Sequence, residues 1–309
     1  RLRMWIDETS NQDGINGKEF TAMVNVYANA ELITEQTRNL KSEIMKNPII
    51  EAEPTLITSS NNTSDASGLY SSTATNTGKA TYYFRGNVEN NYVSFAGFTW
   101  RIVRINEDGT IRIIMQDGIN NNSLSYQFNS NYNNYLYMYY STNSNAKLQL
   151  DSWYNTNIGS ITNLVDRVAT GDYYCEQAKV KYSSSYISGN ASMTEYASYA
   201  PNFKCETDGN GKGIVNSNIG LISYDEVVYA GGYFDQPNNN YYLYNNQYSW
   251  TMSPNAFTSD SALMWGFNST GDICNRYVYI ASTFRPVLNL KVDTVVTGTG
   301  TSSDPYVIG

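Results

Sequence analysis

The chain is 309 residues long, carries a formal net charge of −8 at pH 7, and contains 28 tyrosines and no histidine. The acidic balance excludes a nucleic-acid or anionic-membrane partner, since either asks for a basic face. Without histidine the commonest general base and metal ligand is missing, which removes Ser–His, Cys–His and His-ligated zinc chemistry.

Only 16% of residues are charged, while Tyr, Asn and Ser are abundant, a polar and weakly charged composition that suits a β-rich extracellular protein. No apolar run is long enough for a transmembrane helix, so no membrane insertion is expected of this chain. No signal peptide is visible, and Arg1 already lies in a strand-like piece. The chain therefore reads as a processed or excerpted product of a secreted precursor, extracellular or held at the cell surface.

Residues 1–29 contain two strand-like pieces, RLRMWID and EFTAMVNVYA, joined through a polar connection with a turn at Asn16-Gly17. Leu2, Met4 and Ile6 on the first piece and Phe20 and Met23 on the second form an apolar face that needs partners, because a lone hairpin is marginal in water. The two pieces resemble the closing strands of the β-sandwich in biofilm-fibre proteins of the TasA/camelysin kind. That resemblance implies a sandwich remnant whose missing strands sit upstream in the same precursor or come from elsewhere, by self-association or from a neighbouring surface protein through strand addition.

Ala30 to Lys46 is expected to be a connecting helix. Ile33, Leu40 and Ile44 share a face, Glu31 and Glu35 lie near the start, and Lys41 and Lys46 near the end, as the helix dipole favours. Asn47-Pro48 stops it. Pro48 to Lys79 is Ser/Thr/Asn-rich and reads as a linker or an extended lead-in, so residues 30–80 are expected to connect and 81–309 to form the main domain.

Phe98 to Met115 reads as a hairpin. Phe98, Trp100 and Ile102 alternate with Thr99, Arg101 and Val103; Glu107-Asp108-Gly109 turns; Ile111, Ile113 and Met115 alternate on the way back. Trp100 is a core anchor. Arg101, Arg104 and Arg112 are cations on half-buried strands, either paired structural charges or a ligand site. The run RGNVENNYVSFAGFTWRIVRINEDGTIRII resembles a segment of large, poorly characterised surface proteins of gut-type Gram-positive bacteria. GLISYDEVVYAGG (220–232), SWTMSP (249–254), FRPVLNL (284–290) and GTGTSSDPYVI (298–308) agree with it in order. The resemblance implies a C-type-lectin-like fold and carries no catalytic residue across. The expected class is thus mainly β with a few short helices (α+β).

Asn120–Ser144 mixes Tyr with Asn and Ser, as adaptable binding loops do. Tyr135, Tyr137 and Tyr139 here, with Tyr241, Tyr242 and Tyr244 further on, are the candidate ligand-binding rings for a glycan; an ordinary patterned β surface is the alternative. Ala146–Asn157 is expected to be a short helix with Leu148 and Trp153 inward. Cys175 and Cys205 bracket a polar loop and are paired; closing about 30 residues contributes roughly 3–4 kcal/mol in the chain-entropy account. Cys274 is left over, a buried small hydrophobe or a reactive or intermolecular thiol.

Ser223 and Glu226 form a capping box before a short helix that Gly231-Gly232 ends, and Asp225 and Glu226, adjacent on it, do not face each other as a catalytic pair would. Trp250, Trp265 and Phe284 should share a core with Trp100, and Val292–Ile308 reads as a final strand and cap. Formylglycine-generating enzymes, near the implied fold, need a cysteine pair, and only Cys274 lies in the last third. Glu206, Asp208, Asn210 and Gly211 mimic the start of a calcium loop, but Ser217 stands where a bidentate Glu belongs, which favours a polar turn. Gln236-Pro237-Asn238 resembles the sugar-reading tripeptide of calcium-dependent lectins without the Trp-Asn-Asp that follows in them. No cofactor or metal is expected, and the function expected is a non-enzymatic, structural or adhesive surface protein, a subunit of a fibre or cell-surface assembly formed through the N-terminal strands, the alternative being a calcium-independent carbohydrate-binding module that uses Tyr/Trp loops.

Overall fold

The structure, a computed structural model, describes residues 37–56, 65–119, 126–178, 201–258 and 260–309. The strand-like pieces of residues 1–29, with Leu2, Met4, Ile6, Phe20 and Met23, lie outside the described residues. In chain order, β1 (Arg38–Asn39) leads into α1 (Leu40–Ile44) and β2 (Ile49–Ile50). Then come β3 (Gly68–Ser72), β4 (Thr81–Arg85), β5 (Tyr92–Phe95), β6 (Phe98–Ile105) and β7 (Ile111–Met115). A stretch with α2 (Asn145–Tyr154) and α3 (Thr162–Val165) leads to β8 (Gly171–Cys175), β9 (Ile214–Ser217) and α4 (Tyr224–Ala230). The chain closes with β10 (Ser249–Thr258), β11 (Ser261–Phe267), β12 (Ile273–Tyr277), β13 (Val287–Leu290), β14 (Val295–Val296) and β15 (Tyr306–Val307). Mainly β with short helices is the observed class.

The hairpin β6–β7 sits inside an eight-stranded sheet ordered β13-β7-β6-β4-β3-β2, with β5 also on β6 and β15 on β5. Strand β6 is long enough to take two partners on one edge, β5 beside its first half and β4 beside its end. Trp100, Ile102, Ile111 and Ile113 have no solvent exposure, and Trp250, Trp265 and Phe284 belong to the same apolar cluster. Gly109 turns the hairpin with a positive φ of 90°. Three antiparallel strands, β10-β11-β12, make a second sheet, and β8–β9 and β1–β14 are two-stranded ladders.

Near the start of the unit, three sequence expectations change. The compact unit begins at Thr37, not at 81. Strands β2 and β3, in the stretch read as linker, extend the main sheet: Ile49 and Ile50 pair with Leu69 and Tyr70, and β3 pairs along its length with β4. Backbone pairing and a few apolar anchors are enough for an edge, whatever the Ser/Thr content around them. Where described, the connecting helix is shorter than expected, because Arg38 and Asn39 pair with Val296 and Val295 and the Asn39 side chain then caps α1 by accepting from Ser42 N.

In α2, Leu148 points to solvent at 57% exposure. Ala146, Leu150 and Tyr154, four apart, define the buried stripe, and Leu148 is about 200° around from Ala146 at 100° per residue. Trp153 is half-buried against Phe98 and Trp100. At the other end of the chain, the expected final strand is two short ones, β14 on β1 and β15 parallel to β5.

Candidate functional site

A single irregularity in the hairpin sets the chemistry of one sheet face. Ile102 lies opposite Ile113, but Arg104, two residues on, lies opposite Arg112, one residue back. Val103 is therefore a bulge. A strict period of two would place Arg104 with Trp100 and Ile102; the extra residue turns it to the face of Arg101 and Arg112. Two cations now stand opposite each other, an arrangement that is unfavourable unless an anion lies between them.

Glu226 is that anion. Its Oε1 lies 3.0 Å from Arg104 Nε and 2.6 Å from Arg112 Nε. Its Oε2 accepts from Ser223 N at 2.9 Å, completing the capping box of α4. The Arg112 contact is an ion pair whose N–H is not aligned as a hydrogen bond. Burial alone would raise the Glu226 carboxyl, but Arg112 and Arg104 outweigh it and hold the group below its ordinary range. Burial also lowers the Arg104 guanidinium against the pull of Glu226. The opposite end of α4 is held as firmly: Arg85 Nη1 donates to the carbonyls of Val228 and Tyr229 while Nε and Nη2 take Asp65.

Over the Arg104–Glu226–Arg112 group opens a cleft of about 220 Å³. Tyr173, Tyr174 and Cys175 of β8 form one wall, and Asn202 to Cys205 the other. The Cys175–Cys205 disulfide joins them. Phe203 is fixed by its own contacts, its ring stacked on Tyr229 at 4.1 Å, under the Arg104 guanidinium at 4.9 Å, with its N–H on Ala74 O. Around the mouth stand Asn76, Thr77, Glu107, Asp108 and Asp172.

Glu107 accepts from Thr77 N and Oγ1, and Asp108 from Thr110 and from the Tyr173 hydroxyl at 2.9 Å. Burial works to raise both carboxyls, and these hydrogen bonds lower them further than burial raises them, so both are ionised at neutral pH. Asp172 accepts from Asn216 at 2.9 Å. With the two arginines engaged by Glu226, Lys204 is the remaining cation among the described residues of the lining. Among the described residues no three His, Cys, Asp or Glu side chains gather as a metal-ligand set.

The six tyrosines read as ligand-binding do not form a ring platform. Tyr139, Tyr241 and Tyr242 are buried because the rings supply core volume. Tyr139 donates to Asp208 at 2.9 Å and Tyr241 to Gly271 O at 3.0 Å, while Tyr242 lies under Arg101. Tyr135, Tyr137 and Tyr244 are half-buried and pack against the core. Arg101 is structural, as one reading had it, but its partners are Asn91 Oδ1 at 2.7 Å, Val88 O at 2.6 Å and the Tyr92 ring at 3.8 Å.

Both stretches that mimic calcium or sugar motifs are turns. Asp208 Oδ1 accepts from Asn210 N and Lys212 N, and Oδ2 from Tyr139 and Ala178 N, so both oxygens face protein donors. Asn238 is buried, donating to Gly231 O and accepting from Asn240 N. Cys274 is half-buried with Sγ 2.7 Å from the Tyr248 hydroxyl, and burial pushes the thiol up to about 12, against the lowering effect of that hydrogen bond.

Sequence reasoning found Arg104, Arg112 and Glu226 one by one and missed that they meet. The only local signal is that Arg104 falls on the Trp100 parity, where a lone cation has no place. Comparison with protein-family models, curated proteins and solved structures finds no match to this chain.

Proposed function

We propose that this chain is a non-enzymatic, adhesive recognition module of an extracellular surface protein, C-type-lectin-like in kind, whose cleft takes an uncharged glycan without calcium. The observation that carries this reading is the make-up of the cleft: its two arginines share the buried Glu226 carboxylate, with the buried Asp225 next to it in the lining, and its rim offers fixed acceptors and amides beside Tyr173 and Phe203. Carboxylates already held by Thr77, Thr110, Tyr173 and Asn216 are oriented acceptors for sugar hydroxyls, and an aromatic edge suits the apolar face of a pyranose ring. Anionic ligands would meet Glu107, Asp108 and Asp172 at the mouth and be repelled.

The test is an array of neutral and anionic oligosaccharides, followed by calorimetry on the best neutral ligand. Neutral binding that survives a chelator and weakens about tenfold or more in Asp172→Ala is expected, the loss of roughly one charged hydrogen bond. Binding that vanishes with chelator, or a preference for anionic glycans, would overturn the reading.

A further inference from the structure

Tyrosines that do reach solvent together are elsewhere. Residues 126–132 run beside residues 277–282: Tyr126 and Ser282 exchange both backbone hydrogen bonds, and Asn129 N donates to Val278 O. This pairing brings Tyr132 against Tyr279, ring centroids 4.8 Å apart, and Tyr279 is stacked in turn on Tyr277 at 5.4 Å and 13°. Tyr132 is 44% exposed and Tyr277 38%. Gln127 donates its amide to Tyr279 O at 2.7 Å and stays exposed. The same Gln127 lines the neighbouring depression, about 290 Å³, with Tyr126, Asn145, Leu148 and Gln149. Gln127 thus joins a row of rings to a hollow whose described lining residues include no Asp, Glu, Lys or Arg.

Rings beside side-chain amides, with no charge, are a specific combination. A charged peptide or an anionic polymer would find no counter-ion among these residues. A wholly apolar partner would strand the amides of Gln127, Asn145 and Gln149 on burial, at a cost of roughly 1–3 kcal/mol each. A sugar ring satisfies both, since its C–H face covers a tyrosine and its hydroxyls donate to and accept from amides at once.

We propose that Tyr132, Tyr277 and Tyr279, with Gln127, Asn145 and Gln149, form a second carbohydrate-binding surface for a neutral glycan, separate from the cleft. It does not require the cleft to be occupied.

The experiment is calorimetry of the full chain against neutral oligosaccharides built on glucose, galactose, mannose or N-acetylglucosamine, with sedimentation of the same samples. Tyr277→Ala/Tyr279→Ala and Gln127→Ala/Gln149→Ala should each weaken one class of site by about tenfold or more, as loss of central contacts does. Tyr277→Phe, which keeps the ring, should bind as the parent does, and unchanged thermal melts should accompany all three. Asp172→Ala should leave this class intact, so failure here and failure of the cleft are separately visible. Neutral-glycan binding indifferent to both double variants would overturn the proposal. So would the absence of glycan binding, whether or not sedimentation showed self-association lost in Tyr277→Ala/Tyr279→Ala; such self-association would make the face a protein interface.

Discussion

Glu226 does two things with its two oxygens: one starts α4 and the other separates two guanidiniums. Glu226→Gln keeps the shape and a capping amide oxygen but leaves Arg104 and Arg112 facing each other in a buried site. The expected loss is about 3–5 kcal/mol, the cost of breaking a buried ion group by removing one partner, read from chemical denaturation at neutral pH. A loss below about 1 kcal/mol would mean that the cations relax into the cleft. The sign with pH follows from the depressed carboxyl. Its stabilisation is present above the unfolded carboxylate value of about 4.3 and is lost as pH falls through the lower folded value. Stability of the parent should therefore fall more steeply in acid than that of Glu226→Gln.

At the scale of elements, the hairpin β6–β7 was readable because its apolar alternation is strong and its turn carries Gly109. The bulge within it was not, because one extra residue changes parity without leaving a pattern; only the register against Ile113 and Arg112 shows it. The capping box of α4 was readable for the opposite reason, since all its parts lie within four residues. The burial of Tyr139, Tyr241 and Tyr242 was not readable, because ring chemistry suits a core and a binding face equally and distant packing decides between them. The disulfide was readable from spacing, and the segment it joins is also held by Phe203 and by Cys205 N on Asn76 Oδ1. Cys175→Ser/Cys205→Ser should accordingly lower stability by up to about 3–4 kcal/mol while near-ultraviolet circular dichroism at room temperature stays native. Loss of that signal would show that the bridge alone holds the cleft wall.

For the whole molecule, the boundary was the hardest thing to read. Short strands with Ser and Thr around them look like linker until their partners are known: β2 lies on β3 and β3 on β4, while β1 reaches β14 near the other end of the chain. Asp65, in the same stretch, holds the buried Arg85. A chain cut to residues 37–309 should then melt cooperatively near the temperature of the parent. One cut to 82–309 loses β2, β3 and the Arg85 counter-charge, and should be destabilised by more than about 3–5 kcal/mol, the cost of the stranded cation alone. Equal melting of the two fragments in calorimetry would contradict this.

Residues 38–39 lie against 295–296, Thr297 bridges Val307, and Ile308 N reaches Ser94 O, so the first and last parts of this unit are neighbours. If the unit is strung between other parts of a surface chain, a pull along that chain reaches two ladders of two residues each before it reaches the tryptophans. Each residue peeled from these ends adds roughly 3.3–3.6 Å of length. The short ladders are then a mechanical fuse: they give slack under tension and can re-zip afterwards, while the cleft and its ion group stay assembled behind them.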